Sequence, residues 1–175
     1  MKISAAKIND YQRVQKFYWE ICELMADSPF DIKWKKEIYP ANELLRSSLA
    51  KGELYIMEEA GEITGAMILN HEGNESYAGA RWSVEASAER VMVIHALGIR
   101  PKYQGRGLSK LLVAEAEKIA RETGQLAIRL DMLRSNVPAL KLYEGAGFVF
   151  QGTLPMFYED TGWTEFLLYE KPLKT

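Results

Sequence analysis

Residues 91–132 read VMVIHALGIRPKYQGRGLSKLLVAEAEKIARETGQLAIRLDM. Val91 to Ile99 is nearly all apolar, as a strand buried on both faces should be. After Gly105 and Gly107, the residues Leu108, Leu111, Leu112, Ala116, Ile119 and Ala120 recur at helical spacing, and Gly124 offers a C-terminal stop. Leu126 to Met132 is again a strand-length apolar run. Strand, glycine turn, helix and strand make a βαβ unit. The turn between them suits an anion: glycines let the backbone approach a ligand at positive φ, and the first-turn amides of the helix lack intrahelical acceptors, so they point outward with the positive end of the macrodipole. Arg100, Lys102, Arg106 and Lys110 crowd the same stretch, which suggests an anionic ligand smaller than a nucleic acid.

Upstream, a first strand is expected near Lys2 to Ala6, then a helix capped by Asn9 or Asp10 with Val14, Phe17, Tyr18, Ile21, Leu24 and Met25 on its apolar face. Asp31 to Tyr39 has no decisive pattern; Pro40 then opens a second helix with Leu44, Leu45, Ser48 and Leu49 inward and Gly52 as its stop. Glu53 to Glu59 and Ile63 to Asn70 read as a hairpin turning at Gly61, and His71 to Glu89 has no clean period. Downstream, Ser135 or Asn136 caps a short helix through Tyr143, closed by Gly145 and Gly147; Phe148 to Phe157 and Trp163 to Lys171 pair across the turn Glu159 to Gly162. No repeat or linker divides the chain, so residues 1–175 are expected to form one α/β domain with a mixed sheet covered by helices.

The net charge of -2, from 22 basic and 24 acidic side chains, gives no electrostatic footprint for nucleic acid. No apolar run approaches the roughly 20 residues of a membrane span, and the N-terminus lacks the apolar core of a signal peptide. Cys22 is the single cysteine, so no internal disulfide is available, and a reducing cytoplasm is the expected compartment.

Two phosphate motifs are missing: no GxGxxG is followed by an acidic residue about 20 positions on, and there is no GxxxxGK[ST]. Instead Gln104-x-x-Gly107 follows the strand VIHALGI, and after a helix and a strand comes Asn136-x-x-Ala139-x-x-Leu142-Tyr143-Glu144-x-x-Gly147-Phe148. From about Val91 to Gly152 this closely resembles the GCN5-related N-acetyltransferase (GNAT) superfamily. The resemblance implies a mixed, mostly antiparallel twisted sheet of about seven strands flanked by about four helices. It also implies acetyl-coenzyme A as acetyl donor, with no metal. Carried over, Leu97, Gly98 and Ile99 contact acetyl and pantetheine; Gln104, Gly105, Arg106, Gly107, Leu108 and Ser109 hold the pyrophosphate; Asn136 and Tyr143 also meet the coenzyme. Ser109 stands where the family usually has Gly or Ala.

Acetyl transfer to an amine needs a neutral nucleophile, a donor for the developing oxyanion and a proton for the leaving thiolate. The Leu97 amide suits the second task and Tyr143 the third. The base is open among several groups. His95, one of two histidines, lies on the strand that meets the acetyl group and by alternation shares a face with Val93 and Leu97. The strand resembles that of arylalkylamine acetyltransferases, whose pattern is HxHAL; Val93 stands in place of the first histidine. Glu85, Glu89, Asp131 and water are the alternatives. Trp34, Tyr39 and Trp82, if they line the acceptor cleft, would favour an apolar or cationic portion. The expected partner is a small-molecule amine, the chain acting alone or as a homodimer. A protein N-terminal or lysine acetyltransferase and a non-catalytic acyl-coenzyme A sensor are the competing readings.

Overall fold

The structure is a computed structural model in which residues 1–30 and 32–173 are described; Asp31, at the head of the segment without a pattern, lies outside them. The elements are β1 (Lys2–Ala5), α1 (Tyr11–Met25), α2 (Asn42–Lys51), β2 (Leu54–Glu59), β3 (Glu62–Asn70), β4 (Val91–Ile99), α3 (Leu108–Glu122), β5 (Ala127–Met132), α4 (Val137–Gly145), β6 (Val149–Tyr158) and β7 (Gly162–Pro172). They form a seven-stranded sheet in the order β1-β2-β3-β4-β5-β7-β6, flanked by four helices. Only β4 and β5 run parallel. Their right to do so comes from α3, which carries the chain over one face between them.

Local chemistry accounts for most boundaries. Ala60 and Gly61, both at positive φ, turn the β2–β3 hairpin. Gly52 closes α2 in the left-handed region, its N–H reaching the carbonyls of Ser48 and Leu49. Asn136 caps α4 by accepting the Ala139 N–H at 3.3 Å. Two expectations are corrected. Asp10 precedes α1 but does not bond a helix amide; its carboxylate takes the Lys7 N–H at 2.9 Å and Arg13 at 2.7 Å. Leu24 and Leu111, expected inward, face solvent at 59% and 49% exposure because the apolar stripes of α1 and α3 are narrower than the sequence suggested.

Two apolar layers sandwich the sheet. Leu108, Leu112, Val113, Ala116 and Ala120 of α3 and Tyr143 of α4 pack with Met92, Ile94, Ile128 and Leu130 on one face. Val14, Phe17, Tyr18 and Ile21 of α1 and Leu45 and Leu49 of α2 pack with Ile56, Ile68 and Ala96 on the other.

Two irregularities shape the middle of the sheet. The β4–β5 pairing runs only from Val91–Ala127 to Val93–Arg129. Beyond it β4 continues beside β3 to Ile99 and β5 beside β7 to Met132, so the sheet parts. Within β4, Ala66 faces Gly98 and Ile68 faces His95, which sets Ala96 and Leu97 together opposite Met67. This is a β-bulge, with Ala96 at φ 48.

Candidate active site

The parted strands open two adjoining cavities. The larger, of about 470 Å³, runs beneath α1 and along the β4–α3 loop to α4. Leu97, Gly98, Ile99, Gln104, Gly105, Gly107, Leu108, Ser109 and Asn136, expected from sequence to hold a ligand, all line it. Gly105 and Gly107 take φ 77 and 76, and no atom lies within 4 Å of where their Cβ would stand, so their backbone is open to a close partner. Gly98 is needed for a different reason: a Cβ there would meet Ile21 Cδ1 at 2.9 Å. From Ile94 on, the edge of β4 toward β5 has no strand partner, so its amides and carbonyls can pair with an extended, amide-bearing ligand.

Arg106 does not line this cavity. Its guanidinium holds both oxygens of Glu59, at 3.0 and 3.1 Å. Arg100 likewise bonds Glu20 at 2.7 Å and Glu62 at 3.0 Å, and Lys102 bonds Glu62 at 2.8 Å. The basic cluster read from the sequence is therefore largely paired, and the anion-attracting element that remains is the amide array at the N-terminus of α3. The Arg106–Glu59 pair is exposed, and solvent screening makes such a pair weak, so a phosphate could displace the carboxylate.

The smaller cavity, of about 100 Å³, lies on the far side of Leu97. Both cavities include Ile32, Trp34, Leu97, Asn136 and Ala139, so they meet at the bulge. Tyr143 and His95 line the smaller one. Tyr143 is buried, its ring edge-on to Phe148 at 5.2 Å, and burial, with the Asp131 charge adding, raises its pKa well above that of a free phenol.

His95 differs from the expectation of simple alternation. The bulge adds one residue between His95 and Leu97, so Leu97 joins the α3 face with Met92 and Ile94 while Ala96 belongs to the α1 face. His95 and Leu97 thus point to opposite faces. Asn70 Oδ1 already accepts the Glu72 N–H at 3.0 Å; His95 Nε2 donates to the same oxygen at 2.8 Å, which leaves the lone pair on Nδ1. Burial pushes the imidazole pKa down to about 4, so it is neutral at physiological pH.

Of the alternative carboxylates, Glu85 and Glu89 are exposed and line neither cavity, whereas Asp131 lines the smaller one. Its Oδ2 accepts the hydroxyls of Tyr77 at 2.8 Å and Tyr158 at 2.9 Å, and burial raises its pKa. Trp34 and Tyr39 line the smaller cavity, but Trp82 does not: it lies over the Arg129 guanidinium at 4.4 Å and beside Tyr77. Sequence reading missed Asp160 and Tyr158, which reach the cavity from the β6–β7 end of the sheet. Asp160 looked like an ordinary turn carboxylate, and only the sheet order brings it to Asp131. Among the described residues no group of three or more His, Cys, Asp or Glu could hold a metal ion.

Residues 11–148 match the acetyltransferase (GNAT) family. Over 103 residues the chain is 28% identical to mycothiol acetyltransferase of Acidothermus cellulolyticus, covering 59% of this chain and 32% of that enzyme's length. Over 158 residues it is 24% identical to acetyltransferase SG1711 of Sodalis glossinidius, covering 88% and 91%. Its fold matches yncA of Salmonella typhimurium, solved with its cofactor acetyl-CoA, at a TM-score of 0.70 and 18% identity over 100% of this chain and 95% of that one.

Proposed function

The chain belongs to the acetyltransferase (GNAT) family, and from that membership we propose that it moves an acetyl group from acetyl-coenzyme A to a primary amine of a small molecule. The observation that carries this reading is the meeting of the two cavities at Leu97, Trp34, Asn136 and Ala139. A donor lying along β4 with its phosphates on the α3 amides would bring its thioester to Leu97, and an acceptor in the smaller cavity would reach the same point. The solved relative with acetyl-CoA supports the identity of the donor.

In the proposed step the lone pair of a neutral amine forms a bond to the thioester carbon. The Leu97 amide stabilises the tetrahedral oxyanion, the C–S bond then breaks, and the thiolate takes the Tyr143 proton. The nitrogen becomes far more acidic once bonded to the carbonyl carbon, so a weak base suffices. His95 Nδ1, or water, takes that proton and solvent restores the phenol. Arg106 would leave Glu59 for the pyrophosphate, while Asn136 serves both as cap and as cavity wall. The whole chain, 1–175, would act as one domain. No described helix is long and apolar enough to cross a membrane. The lone thiol Cys22 is buried, its pKa pushed up to about 11, and suits the reducing cytoplasm in which we place the protein.

Acetyl-coenzyme A should raise the thermal midpoint in a dose-dependent way, with ATP and nicotinamide cofactors far less effective. Adding amines should then release free thiol. A shift with ATP and none with coenzyme A defeats the donor assignment. Coenzyme binding without thiol release from any amine favours a sensor.

A further inference from the structure

The smaller cavity is lined by two carboxyl groups to which the acetyl-transfer step above gives no role. Asp131, near the end of β5, and Asp160, in the β6–β7 turn, both line it, and no lysine or arginine does. Both carboxyls titrate above their ordinary range, chiefly through burial, and the Asp160 charge adds to the rise at Asp131. Lys35 lowers the pKa of Asp160 by its charge but is itself exposed and outside the cavity lining. His95, the remaining basic group in the wall, is neutral.

Asp131 is half-served by the protein. Tyr77 and Tyr158 both donate to Oδ2, and among the described residues nothing donates to Oδ1. Among the described residues, the unbonded side-chain atoms sealed from solvent are Trp19 Nε1 and Gln125 Oε1; Asp131 Oδ1 is not one of them, and its residue lines the cavity. A carboxylate oxygen left in this setting is costly unless a cation or donor reaches it. Around it stand aromatic rings in mutual contact: Trp34 and Tyr39 at 5.8 Å, Tyr39 and Tyr158 at 6.0 Å, Tyr158 and Phe166 at 5.1 Å. Aromatic faces beside a carboxylate attract an ammonium far more than a neutral or anionic group.

Resting on the acetyl-transfer reading above, we propose that the acceptor is a small aliphatic diamine, whose distal ammonium is held by Asp131 Oδ1 and Asp160 against Trp34, Tyr39 and Tyr158. The other nitrogen, neutral, reaches the junction at Leu97 and is acetylated. The anchored nitrogen makes and breaks no covalent bond; it keeps its protons and fixes the reach of its partner. Two carboxylates match the doubly charged state in which a diamine arrives; the reacting nitrogen gives its extra proton to water before it attacks, and the confined volume excludes a folded polypeptide surface.

The test measures binding of diaminopropane, diaminobutane, propylamine, butylamine and a lysine-bearing peptide by calorimetry, with free coenzyme A present so that no turnover occurs. Initial rates with acetyl-coenzyme A are measured alongside. Diamines should bind roughly 30-fold or more tightly than the matched monoamines, as expected when a buried charge pair is removed. Asp131→Asn should bring the diamines down to the monoamine level with coenzyme affinity unchanged. Asp160→Asn, in a turn rather than a central strand, provides the same comparison should the first variant fold poorly. Equal affinity for diamines and monoamines, or a preference that survives Asp160→Asn and a folded Asp131→Asn, overturns the proposal, as does tighter binding of the peptide. Preferential diamine binding without thiol release leaves the cation site standing and removes the transfer reaction instead.

Discussion

The hydroxyl of Tyr18 donates to the carbonyl oxygen of Ala96 at 2.9 Å, joining the core of α1 to the bulge of β4. Ala96 sits at φ 48, a conformation that costs an L-residue with a Cβ about 1 kcal/mol or more, so the bulge needs outside support. Tyr18 is fully buried, and burial raises its pKa well above that of a free phenol. The donor therefore keeps its proton at any working pH.

Replacing Tyr18 by Phe should leave the Ala96 carbonyl without its donor and destabilise the fold by about 1–3 kcal/mol. Urea unfolding should show a lower midpoint at unchanged m. Because the bulge sets Leu97, kcat should also fall. Unchanged stability and rate would mean that β4 holds its own shape.

Gly107 allows charge and strain to be separated. Gly107→Ala should cost about 1 kcal/mol of stability, since φ 76 is retained with a Cβ in open space, and should weaken coenzyme binding only modestly. Gly107→Glu should abolish binding by placing a carboxylate where the pyrophosphate belongs. Equal coenzyme affinity in the two folded variants, measured by calorimetry, would count against an anion at this loop.

Tyr143→Phe keeps the ring against Phe148 and removes only the hydroxyl. Coenzyme affinity and thermal midpoint should change little, whereas kcat should fall by about 100-fold to 10,000-fold if thiolate departure limits turnover. A higher coenzyme Kd at constant kcat would instead make Tyr143 a binding residue.

His95 makes a prediction in pH. Its folded pKa of about 4 lies below the ordinary 6.5, so the unfolded chain binds the proton more readily. Stability should be complete above pH 6.5 and lost as the pH falls toward 4, by up to about 3 kcal/mol from this residue. Asp131 and Asp160 act in the opposite sense, because burial raises theirs. The difference between the wild type and His95→Gln isolates the histidine. Identical pH–stability curves would show that the ring is better solvated than its surroundings imply.

The central βαβ unit and the cap at Asn136 were legible because their signals are local: a buried strand, two glycines, a helical stripe and a side-chain acceptor next to the amide it serves. Four features were not. The bulge depends on Tyr18, which is 78 residues from Ala96 in sequence, and one inserted residue reverses the face on which His95 lies relative to Leu97. The pairing of Arg106 with Glu59 has no local signal, because the neighbouring hairpin brings the carboxylate beside it. The segment 71–89 showed no period because it is held by side chains rather than ladders. Val84 is clamped by the buried Arg129–Glu170 pair, and Tyr77 reaches Asp131 from the same stretch. Asp131 on β5, Tyr158 on β6 and Asp160 in the β6–β7 turn become neighbours only through the order β5-β7-β6.

The open edge of β4 has a further consequence. On the rim of a sheet, a row of unpaired backbone groups is adhesive toward any passing extended chain. Here the same row faces inward, with α4 closing one side and α1 the other. An extended, amide-bearing ligand that completed this ladder would have to enter between those walls.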